Sequence, residues 1–252
     1  MILDLFKLDG KVALVTGARR GLGLGIAEGL AQAGADIFGV GTGDMAPCKE
    51  AVEAAGRSFG SIKADLISQA PIEGVVNACL ERFGHIDILV NNAGIVRRAD
   101  AVDFTEQDWD DVVNLNLKTI FMLSQRVGKL MIAQGGGKII NIASMLSYQG
   151  GIRVPAYTSA KSGLMGLTRA LANEWAKYNV NVNAIAPGYM DTDNTEALRN
   201  DPVRSKDILV RIPAGRWGVR DDLAGVAVFL ASDASSYVHG FTIAVDGGWL
   251  AR

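Results

Sequence analysis

The sequence predicts a single α/β domain, residues 1–252, in which helices cover both faces of a doubly wound, seven-stranded parallel sheet. Short runs rich in β-branched residues alternate with longer amphipathic stretches along the chain, which is the pattern of repeated strand–helix–strand units. The runs are almost continuously apolar, as expected of strands that are buried on both faces. With 49% hydrophobic and 21% charged residues, the chain also has the composition of a globular domain.

Seven segments are interpreted as strands because each is a short apolar run between turn-forming residues. They are residues 12–16, 36–41, 59–64, 86–91, 138–142, 181–186 and 242–245. Leu22, Ile26 and Leu30 recur at helical spacing after the first strand and predict the first helix. Two later stretches, 110–134 and 155–178, carry abundant apolar residues and predict long helices.

Residues 191–217 interrupt this alternation. Charged residues, asparagines, Pro202 and Pro213 cluster there, between the sixth strand and the helix that follows it. Ligands of open α/β sheets bind outside the carboxyl ends of the strands, so we expect this segment to be an insertion that covers a substrate. An ordinary surface helix is the alternative.

The charge balance excludes several classes of partner. The 25 Lys and Arg residues nearly cancel the 27 Asp and Glu residues, and a net charge of −2 argues against nucleic acid or an anionic membrane surface as a partner. No apolar run is long enough for a membrane span. Asp4 and Asp9 stand where a signal peptide would be apolar, so the expected location is cytoplasmic.

A metal site is not expected either. The candidate ligands with nitrogen or sulfur atoms are few and widely spaced: Cys48, Cys79, His85 and His239. Structural and catalytic metal sites draw such ligands from short, regular spacings, which this chain lacks. We therefore interpret the two cysteines as small packing residues.

A glycine-rich turn follows the first strand, and a helical pattern begins at once after it. Glycines permit a tight turn and let backbone N–H groups approach a pyrophosphate at the positive end of a helix. The strand before the turn and the helix after it favour a dinucleotide site of the Rossmann type over a chance match. The residues expected at the cofactor here are Gly17, Arg19, Arg20, Gly21, Leu22 and Gly23.

A second feature joins a tyrosine and a lysine. Tyr157 precedes Lys161 by one helical turn, which puts both side chains on one face of the predicted helix. The ammonium group can then stabilise a phenolate and lower the tyrosine's pKa. Ser144 lies upstream, just past the fifth strand.

The order of these features resembles that of the classical short-chain dehydrogenase/reductase family across nearly the whole chain. The resemblance implies four catalytic residues: Asn116, Ser144, Tyr157 and Lys161. It also implies that Tyr157 and Lys161 contact the cofactor, together with Asp65, Leu66, Asn91, Ala93, Gly94, Pro187, Gly188, Met190 and Thr192. The side chains of Asn91 and Asn92 are expected to be structural, and neither is assigned a catalytic role.

The family's mechanism gives each of the four residues a role. Tyr157 takes the hydroxyl proton during oxidation or donates it to the carbonyl oxygen during reduction. Ser144 hydrogen-bonds the same oxygen and stabilises the charge that develops on it. Lys161 holds the nicotinamide ribose and favours the phenolate, and Asn116 is expected to hold a water beside it. The hydride chemistry belongs to the cofactor.

Two segments, 142–161 and 191–252, resemble the branch of the family that acts on sugar acids, which includes 2-deoxy-D-gluconate 3-dehydrogenases and 2-dehydro-3-deoxy-D-gluconate 5-dehydrogenases. The implied reaction is hydride transfer between a nicotinamide cofactor and a secondary alcohol or ketone of a deoxy sugar acid. Substrate contacts are expected at Ser144, Gln149, Arg153 and Tyr157.

The residues between Ser144 and Tyr157 favour a short polar substrate. Arg153 is predicted to hold the substrate carboxylate with its two-pronged guanidinium, and Gln149 is the reserve candidate. The alternative is that Arg153 pairs with an acidic residue of a neighbouring subunit.

The choice of nicotinamide cofactor depends on the end of the second strand. Members that prefer NAD carry an acidic residue there, whereas this chain has Gly41 followed by Thr42. Arg20 occupies a turn position that is often basic in members that prefer NADP. These residues favour NADP(H), and Asp44, which could reach back from the loop, keeps NAD(H) as the alternative.

Two other functions remain open. One is a general carbonyl or 3-oxoacyl-thioester reductase, whose substrate would bring an apolar tail or a carrier protein. The other is a non-catalytic dinucleotide-binding sensor, which would normally lack one of Ser144, Tyr157 and Lys161, whereas this chain has all three. The apolar surplus of the two long helices, together with the resemblance, predicts a homotetramer.

Overall fold

The computed structural model describes residues 1–252, with the exception of the Asn194 side chain, and confirms the predicted α/β class. The strands are β1 (Val12–Thr16), β2 (Asp36–Gly41), β3 (Phe59–Lys63), β4 (Ile88–Asn91), β5 (Gly137–Ile142), β6 (Val180–Pro187) and β7 (Thr242–Val245). They form one seven-stranded sheet of parallel neighbours in the order β3-β2-β1-β4-β5-β6-β7. The direction of winding reverses between β1 and β4, and such a switch point opens a crevice at the carboxyl ends of the strands.

The α-helices of the described chain pack on both faces of the sheet. They are α1 (Gly21–Gln32), α2 (Ala46–Ala54), α3 (Ile72–Phe83), α4 (Glu106–Val113), α5 (Thr119–Gln134), α6 (Pro155–Trp175), α7 (Glu196–Arg199), α8 (Pro202–Arg211) and α9 (Ala224–Ala231). One buried cluster joins α1, α2 and α9 to one face, and a second joins α3, α5 and α6 to the other. Both faces of the central strands are therefore covered, as their continuous apolar sequences require.

The predicted strands match the observed ones except at their ends. The largest difference is at β4, which begins at Ile88 rather than at residue 86. Asp87 just before it uses its carboxylate to accept a hydrogen bond from the backbone of Val12 at 2.8 Å. The Asp87 side chain therefore makes the contact with β1 at this point, before the backbone pairing of β4 begins. An apolar sequence pattern does not predict such a side-chain hydrogen bond.

The predicted helix over residues 110–134 is wrong as a single element. The structure contains α4, then a π-helical segment at Asn114–Lys118, then α5. The π segment turns Asn116 inward, where its side chain is fully buried. Single π turns inside α-helices often mark functional positions. The predicted helix over 155–178 is also shorter than expected, because α6 ends at Trp175 and a 3₁₀ turn follows.

The segment 191–217 contains α7 and α8 and lies beside the carboxyl ends of the strands. The Asp201 carboxylate caps α8 by accepting the backbone N–H groups of Val203 and Arg204, each at 3.0 Å. Ile208 of α8 is buried in a cluster with Trp249. This segment is therefore anchored to the chain's carboxyl-terminal residues.

Neither a membrane span nor a metal cluster is found in the described residues. No helix there is both long and apolar enough to cross a membrane, and no group of three or more His, Cys, Asp or Glu side chains could hold a metal ion. Both cysteines are free and buried. Burial raises the pKa of the thiols of Cys48 and Cys79 to about 12, which keeps them protonated and unreactive.

Candidate active site

A cavity of about 860 Å³ opens at the carboxyl ends of the strands, at the switch point of the sheet. Its lining changes in character from one end to the other. We call the part formed by the glycine-rich turn and the end of β2 the cofactor end, and the part formed by α8 and Trp249 the substrate end. Ser144, Tyr157 and Lys161 line the same cavity.

The glycine-rich turn leaves room for a phosphate group. Gly17 has φ 68°, a conformation that side chains disfavour, and a Cβ at Gly23 would collide with the Gly17 carbonyl oxygen and the Asn92 amide. Arg20 precedes α1 without capping it through its side chain, and the first turn of α1 carries no acidic residue. The N–H groups at this helix start therefore fit the pyrophosphate of a dinucleotide.

Buried hydrogen bonds fix the turn to β4. The Thr16 hydroxyl accepts the backbone N–H groups of Asn92 and Ala93, each at 3.0 Å, and donates to the Val90 carbonyl at 3.2 Å. The Asn92 amide donates to the carbonyl oxygens of Thr16 at 2.9 Å and Gly17 at 3.2 Å. Backbone and short side chains alone thus hold the cofactor end in shape.

The cavity lining includes Asn92 but not Asn91, which was predicted to contact the cofactor. The Asn91 amide is buried and donates to Ser124 at 3.0 Å and Asn141 at 2.9 Å. Its side chain therefore joins β4 to α5 and β5, as the structural interpretation expects. The other residues predicted at the cofactor all line the cavity: Gly17, Arg19, Arg20, Gly21, Leu22, Gly23, Gly41, Thr42, Asp65, Leu66, Ala93, Gly94, Tyr157, Lys161, Pro187, Gly188, Met190 and Thr192.

Tyr157 and Ser144 share an environment suited to proton transfer. Burial raises the pKa of the Tyr157 phenol, while a hydrogen bond with Ser144 and the charge of Arg98 lower it. Ser144 lies just after the end of β5, and its backbone is extended. Its hydroxyl also accepts the backbone N–H of Leu146 at 3.1 Å. The serine is therefore held in place while it faces the tyrosine.

Lys161 is buried, with 3% of its surface exposed, one turn along α6 from Tyr157. Its ammonium group donates to the Ile142 carbonyl at 2.6 Å and lies 5.7 Å from the centre of the Tyr157 ring. Burial lowers the pKa of Lys161 to about 8. A cation so close to the phenol favours its ionised form.

The Asn116 amide makes two hydrogen bonds to the loop after β4. Its oxygen accepts the N–H of Ile95 at 3.0 Å, and its nitrogen donates to the Ile95 carbonyl at 2.7 Å. Asn116 does not line the cavity. The side chain thus positions the loop that carries Gly94 and Ile95, and its expected role in holding a water stays a prediction.

The end of β2 offers a cation where an acidic residue would stand in an NAD site. Thr42 lines the cavity. The Arg19 side chain lies so close to Gly43 that a Cβ built on this glycine would be 2.8 Å from the Arg19 Cδ. Asp44 is turned away to accept the backbone N–H of Ala46 at 3.0 Å. Arg20 reaches across the cavity mouth and pairs with Asp193 of the segment 191–217.

The prediction that Arg153 binds the substrate is not supported by its position. Arg153 lies outside the cavity lining, has φ 64°, and pairs with Asp100 at 3.0 Å within the same chain. Its carbonyl also accepts the N–H of Ala99 at 3.2 Å. The turn therefore directs the guanidinium to the surface, whereas Gln149, the reserve candidate, does line the cavity.

Sequence reasoning missed the residues that form the substrate end. These are Arg98, Tyr189, Arg204, Arg211 and Trp249. Arg204 and Arg211 are seven positions apart on α8, a spacing that places them on one face, and this signal was available in the sequence. Nothing in the sequence indicated which element that face would meet.

Comparison with known proteins identifies the family. A family model described as Enoyl-(Acyl carrier protein) reductase matches residues 17–250. A 2-dehydro-3-deoxy-D-gluconate 5-dehydrogenase of Escherichia coli (strain K12) is 63% identical over 253 residues, which cover 100% of both chains. The chain belongs to the short-chain dehydrogenase/reductase family. The predicted family is thereby confirmed.

Solved structures agree with this membership. A protein of Agrobacterium tumefaciens with bound NADP, whose proposed activity is 2-deoxy-d-gluconate 3-dehydrogenase, superposes with a TM-score of 0.92 at 52% identity, covering 99% of this chain and 100% of that one. A gluconate 5-dehydrogenase of Burkholderia cenocepacia in complex with NADP and tartrate gives 0.94 at 40% identity, with 100% of each chain covered. These short-chain dehydrogenases share the arrangement of the whole chain and not only its sheet.

Proposed function

We propose that the protein uses NADP(H) to interconvert a secondary alcohol and a ketone of a deoxy sugar acid, with the 5-position of 2-dehydro-3-deoxy-D-gluconate as the reacting carbon. The observation that carries the proposal is the placement of Ser144, Tyr157 and Lys161 in one cavity between a phosphate-binding turn and a cationic substrate end. The 63% identical relative that acts on this sugar acid supports the substrate.

The catalytic side chains have distinct tasks, and Lys161 has two. The glycine-rich turn and Lys161 would hold NADP(H), which would supply or accept the hydride. Ser144 donates its hydroxyl hydrogen to the substrate oxygen and fixes its position. Tyr157 gives a proton to that oxygen in reduction and removes it in oxidation. Lys161 stabilises the phenolate form of the tyrosine.

The substrate end favours a small acid over an acyl thioester. Arg204 and Arg211 line the cavity and have no ion pair among the described residues, so this face of α8 keeps a positive surplus over Asp207. Trp249 and α8 lie across the cavity's far end, where an extended acyl chain would need an apolar exit. We therefore also propose that residues 191–217, with α8, cover the substrate.

NADP(H) is the proposed cofactor because a cation, Arg19, and the Thr42 hydroxyl lie at the end of β2. Arg19 and Thr42 are placed to receive the 2′-phosphate, and Asp44, which would repel it, is engaged elsewhere. The bound NADP in two similar structures supports this choice. Arg19→Ala should weaken NADPH binding about 10- to 100-fold, since a hydrogen bond to a charged group is worth about 1.5 to 3 kcal/mol, and leave NADH binding unchanged. Equal losses for both nucleotides, measured by fluorescence titration, would move the phosphate site elsewhere.

The function is tested by turnover of purified protein with NADP⁺ and 2-dehydro-3-deoxy-D-gluconate, followed through NADPH absorbance. Acetoacetyl-CoA with NADPH tests the thioester reductase, and the Tyr157→Phe variant supplies the inactive control. Turnover of the sugar acid that Tyr157→Phe abolishes is the expected result. Faster reduction of the thioester would favour the alternative enzyme, and turnover of neither would favour a non-catalytic dinucleotide sensor.

A homotetramer in the cytoplasm completes the proposal. Exposed aromatic residues support assembly: Tyr237 is 98% exposed and Phe241 is 61% exposed beside β7, and Trp109 of α4 is also exposed. Light scattering after gel filtration should give four times the chain mass, and a monomer would refute the assembly. Cell fractionation tests the location, and recovery with membranes or outside the cell would refute it.

A further inference from the structure

The two arginines of α8 differ from most other arginines of the chain in how their charge is balanced. Arg153 and Arg199 each pair with a carboxylate. Among the described residues, no ion pair is found for Arg204 or Arg211, although both line the cavity. Asp207 lines it from the same helix and pairs with neither of them, so this face of α8 keeps a positive surplus.

Of these two cations, Arg211 has described contacts with neighbouring side chains. Its guanidinium carbon lies 4.0 Å from the centre of a Trp249 ring, and its Nη2 donates to the Gln149 side-chain oxygen at 3.3 Å. Both partners are neutral, so they orient the guanidinium without cancelling its charge. Arg252 supports the same point by donating to the backbone carbonyls of Val210 at 3.4 Å and Arg211 at 3.5 Å.

We infer that Arg211, oriented by Trp249 and Gln149, binds the carboxylate of the substrate. A guanidinium has five N–H donors in a planar fork, and Gln149 accepts from only one nitrogen. The remaining donors can hold a carboxylate through two parallel hydrogen bonds. This inference rests on the proposed function, because it names the group of the sugar acid that the cavity recognises.

The surroundings of Trp249 support an acidic ligand here. Trp249 is 4% exposed, and its indole N–H is buried without a hydrogen-bond partner among the described atoms. It packs edge-on against Tyr189 with ring centres 4.8 Å apart. Burial raises the pKa of Tyr189, and the charges of Arg204, Arg211 and Arg98 lower it, so positive charge acts on the phenol that packs against Trp249.

Gln149 connects this site to the reacting atoms. It follows Ser144 in the loop after β5, so the residue that orients Arg211 and the residue that holds the substrate oxygen belong to one segment. A sugar acid bound by its carboxylate at Arg211 would present a carbon several bonds away to Ser144 and Tyr157. Such two-point attachment supplies the orientation that hydride transfer requires.

The test compares the acid with a neutral analogue. The substrates are 2-dehydro-3-deoxy-D-gluconate and 3-deoxy-D-fructose, in which a hydroxymethyl group replaces the carboxylate. Arg211→Met should raise KM for the acid about 10- to 100-fold and change the value for the analogue less than about threefold. Arg211→Lys keeps the charge but loses the fork, so an intermediate KM is expected. Lys206→Met removes a charge from the same helix outside the cavity and should change neither KM.

Gln149→Glu tests the same inference without shortening Arg211. The new carboxylate would pair with Arg211 and occupy it, so KM should again rise for the acid alone. Equal losses for both substrates, or no loss in either variant, would overturn the carboxylate site. If the unmodified enzyme fails to oxidise the acid at all, the proposed function fails, and the two failures are therefore distinguishable.

Discussion

The two ends of the cavity are built in different ways. The cofactor end is held by buried hydrogen bonds of Thr16 and Asn92 to backbone groups, with glycine at the points of closest approach. The substrate end consists of long side chains on α8, oriented by ring stacking. Backbone shape tolerates few changes, whereas a long side chain can be exchanged without disturbing the sheet. Under the proposed function, the rigid end would hold the cofactor and the exchangeable side chains of α8 would select the substrate.

The sharpest contrast is expected from Tyr157→Phe. The variant loses the proton that the reaction needs but keeps the ring, so turnover should fall by about 10² to 10⁴. NADPH affinity should stay within about twofold, because the turn that binds the cofactor is unaffected. Turnover is measured by steady-state assays, and NADPH affinity is measured by fluorescence titration. Retention of more than about a tenth of kcat would contradict the assignment.

Lys161→Met sharpens the comparison through its pH dependence. Oxidation needs the Tyr157 phenolate, so its kcat/KM should rise with pH, whereas reduction needs the phenol and should decline at high pH. Because a nearby cation favours the phenolate, loss of the ammonium should move the rising limb for oxidation to higher pH. A pH profile that is unchanged in the variant would show that Lys161 acts on the cofactor alone.

The same variant has an effect on stability with a defined sign. Burial lowers the pKa of Lys161 from 10.5 to about 8, so the folded chain binds fewer protons than the unfolded chain between these values. Over that window, this group makes the free energy of unfolding rise with pH. Lys161→Met lacks this contribution. Urea titrations at both ends of the window should show that the free energy of unfolding rises with pH more in the unmodified protein than in Lys161→Met.

Gly23→Ala tests how rigid the cofactor end is. The added methyl would meet the Gly17 carbonyl and the Asn92 amide, and overpacking of this kind costs about 1 to 3 kcal/mol. NADPH affinity should fall with the stability. The matched control is Gly74→Ala in α3, where a Cβ meets nothing within 4 Å, and there we expect a neutral or stabilising effect of up to about 1 kcal/mol. Equal results for both glycines would break the comparison.

The smallest effect is expected for Asp193→Asn, which cuts the ion pair between Arg20 and the segment 191–217. Both side chains are exposed, and exposed pairs contribute about 0.2 to 1 kcal/mol, less at high salt. The free energy of unfolding should change by less than about 1 kcal/mol. A larger change would mean that the two ends of the cavity are joined rather than independent.

The fold was predictable because short stretches of sequence show both the continuous apolar runs of buried strands and the helical spacing of apolar residues. The segments assigned as β1, β2 and β7 match the observed strands residue by residue. The π segment was not predictable, because its buried Asn116 amide bonds the backbone of Ile95, in a loop that is distant along the chain. An apolar pattern predicts which face of an element is buried, but it does not predict which polar group a buried side chain will bond.

The site divides in the same way. The sequence allowed a prediction of four cavity residues, because each lies at a fixed offset from a strand or a helix start: Gly17, Ser144, Tyr157 and Lys161. Arg153 was predicted at the substrate because it lies close to Tyr157 along the chain, whereas its left-handed backbone turns it toward Asp100, outside the cavity lining. Long side chains on separately packed helices, such as Arg211, have positions that only tertiary structure determines.

The π turn at Asn114–Lys118 also constrains which changes of length the chain tolerates. A π turn contains one residue more than an α-helical turn, so removing one residue from this segment would convert it to a regular helix and abolish the widened turn that carries Asn116. Asn116 would then leave Ile95, and the loop after β4 would lose its tether. Single-residue deletions should therefore be far more harmful here than at the exposed loop around Gly56, where an added Cβ meets nothing within 4 Å.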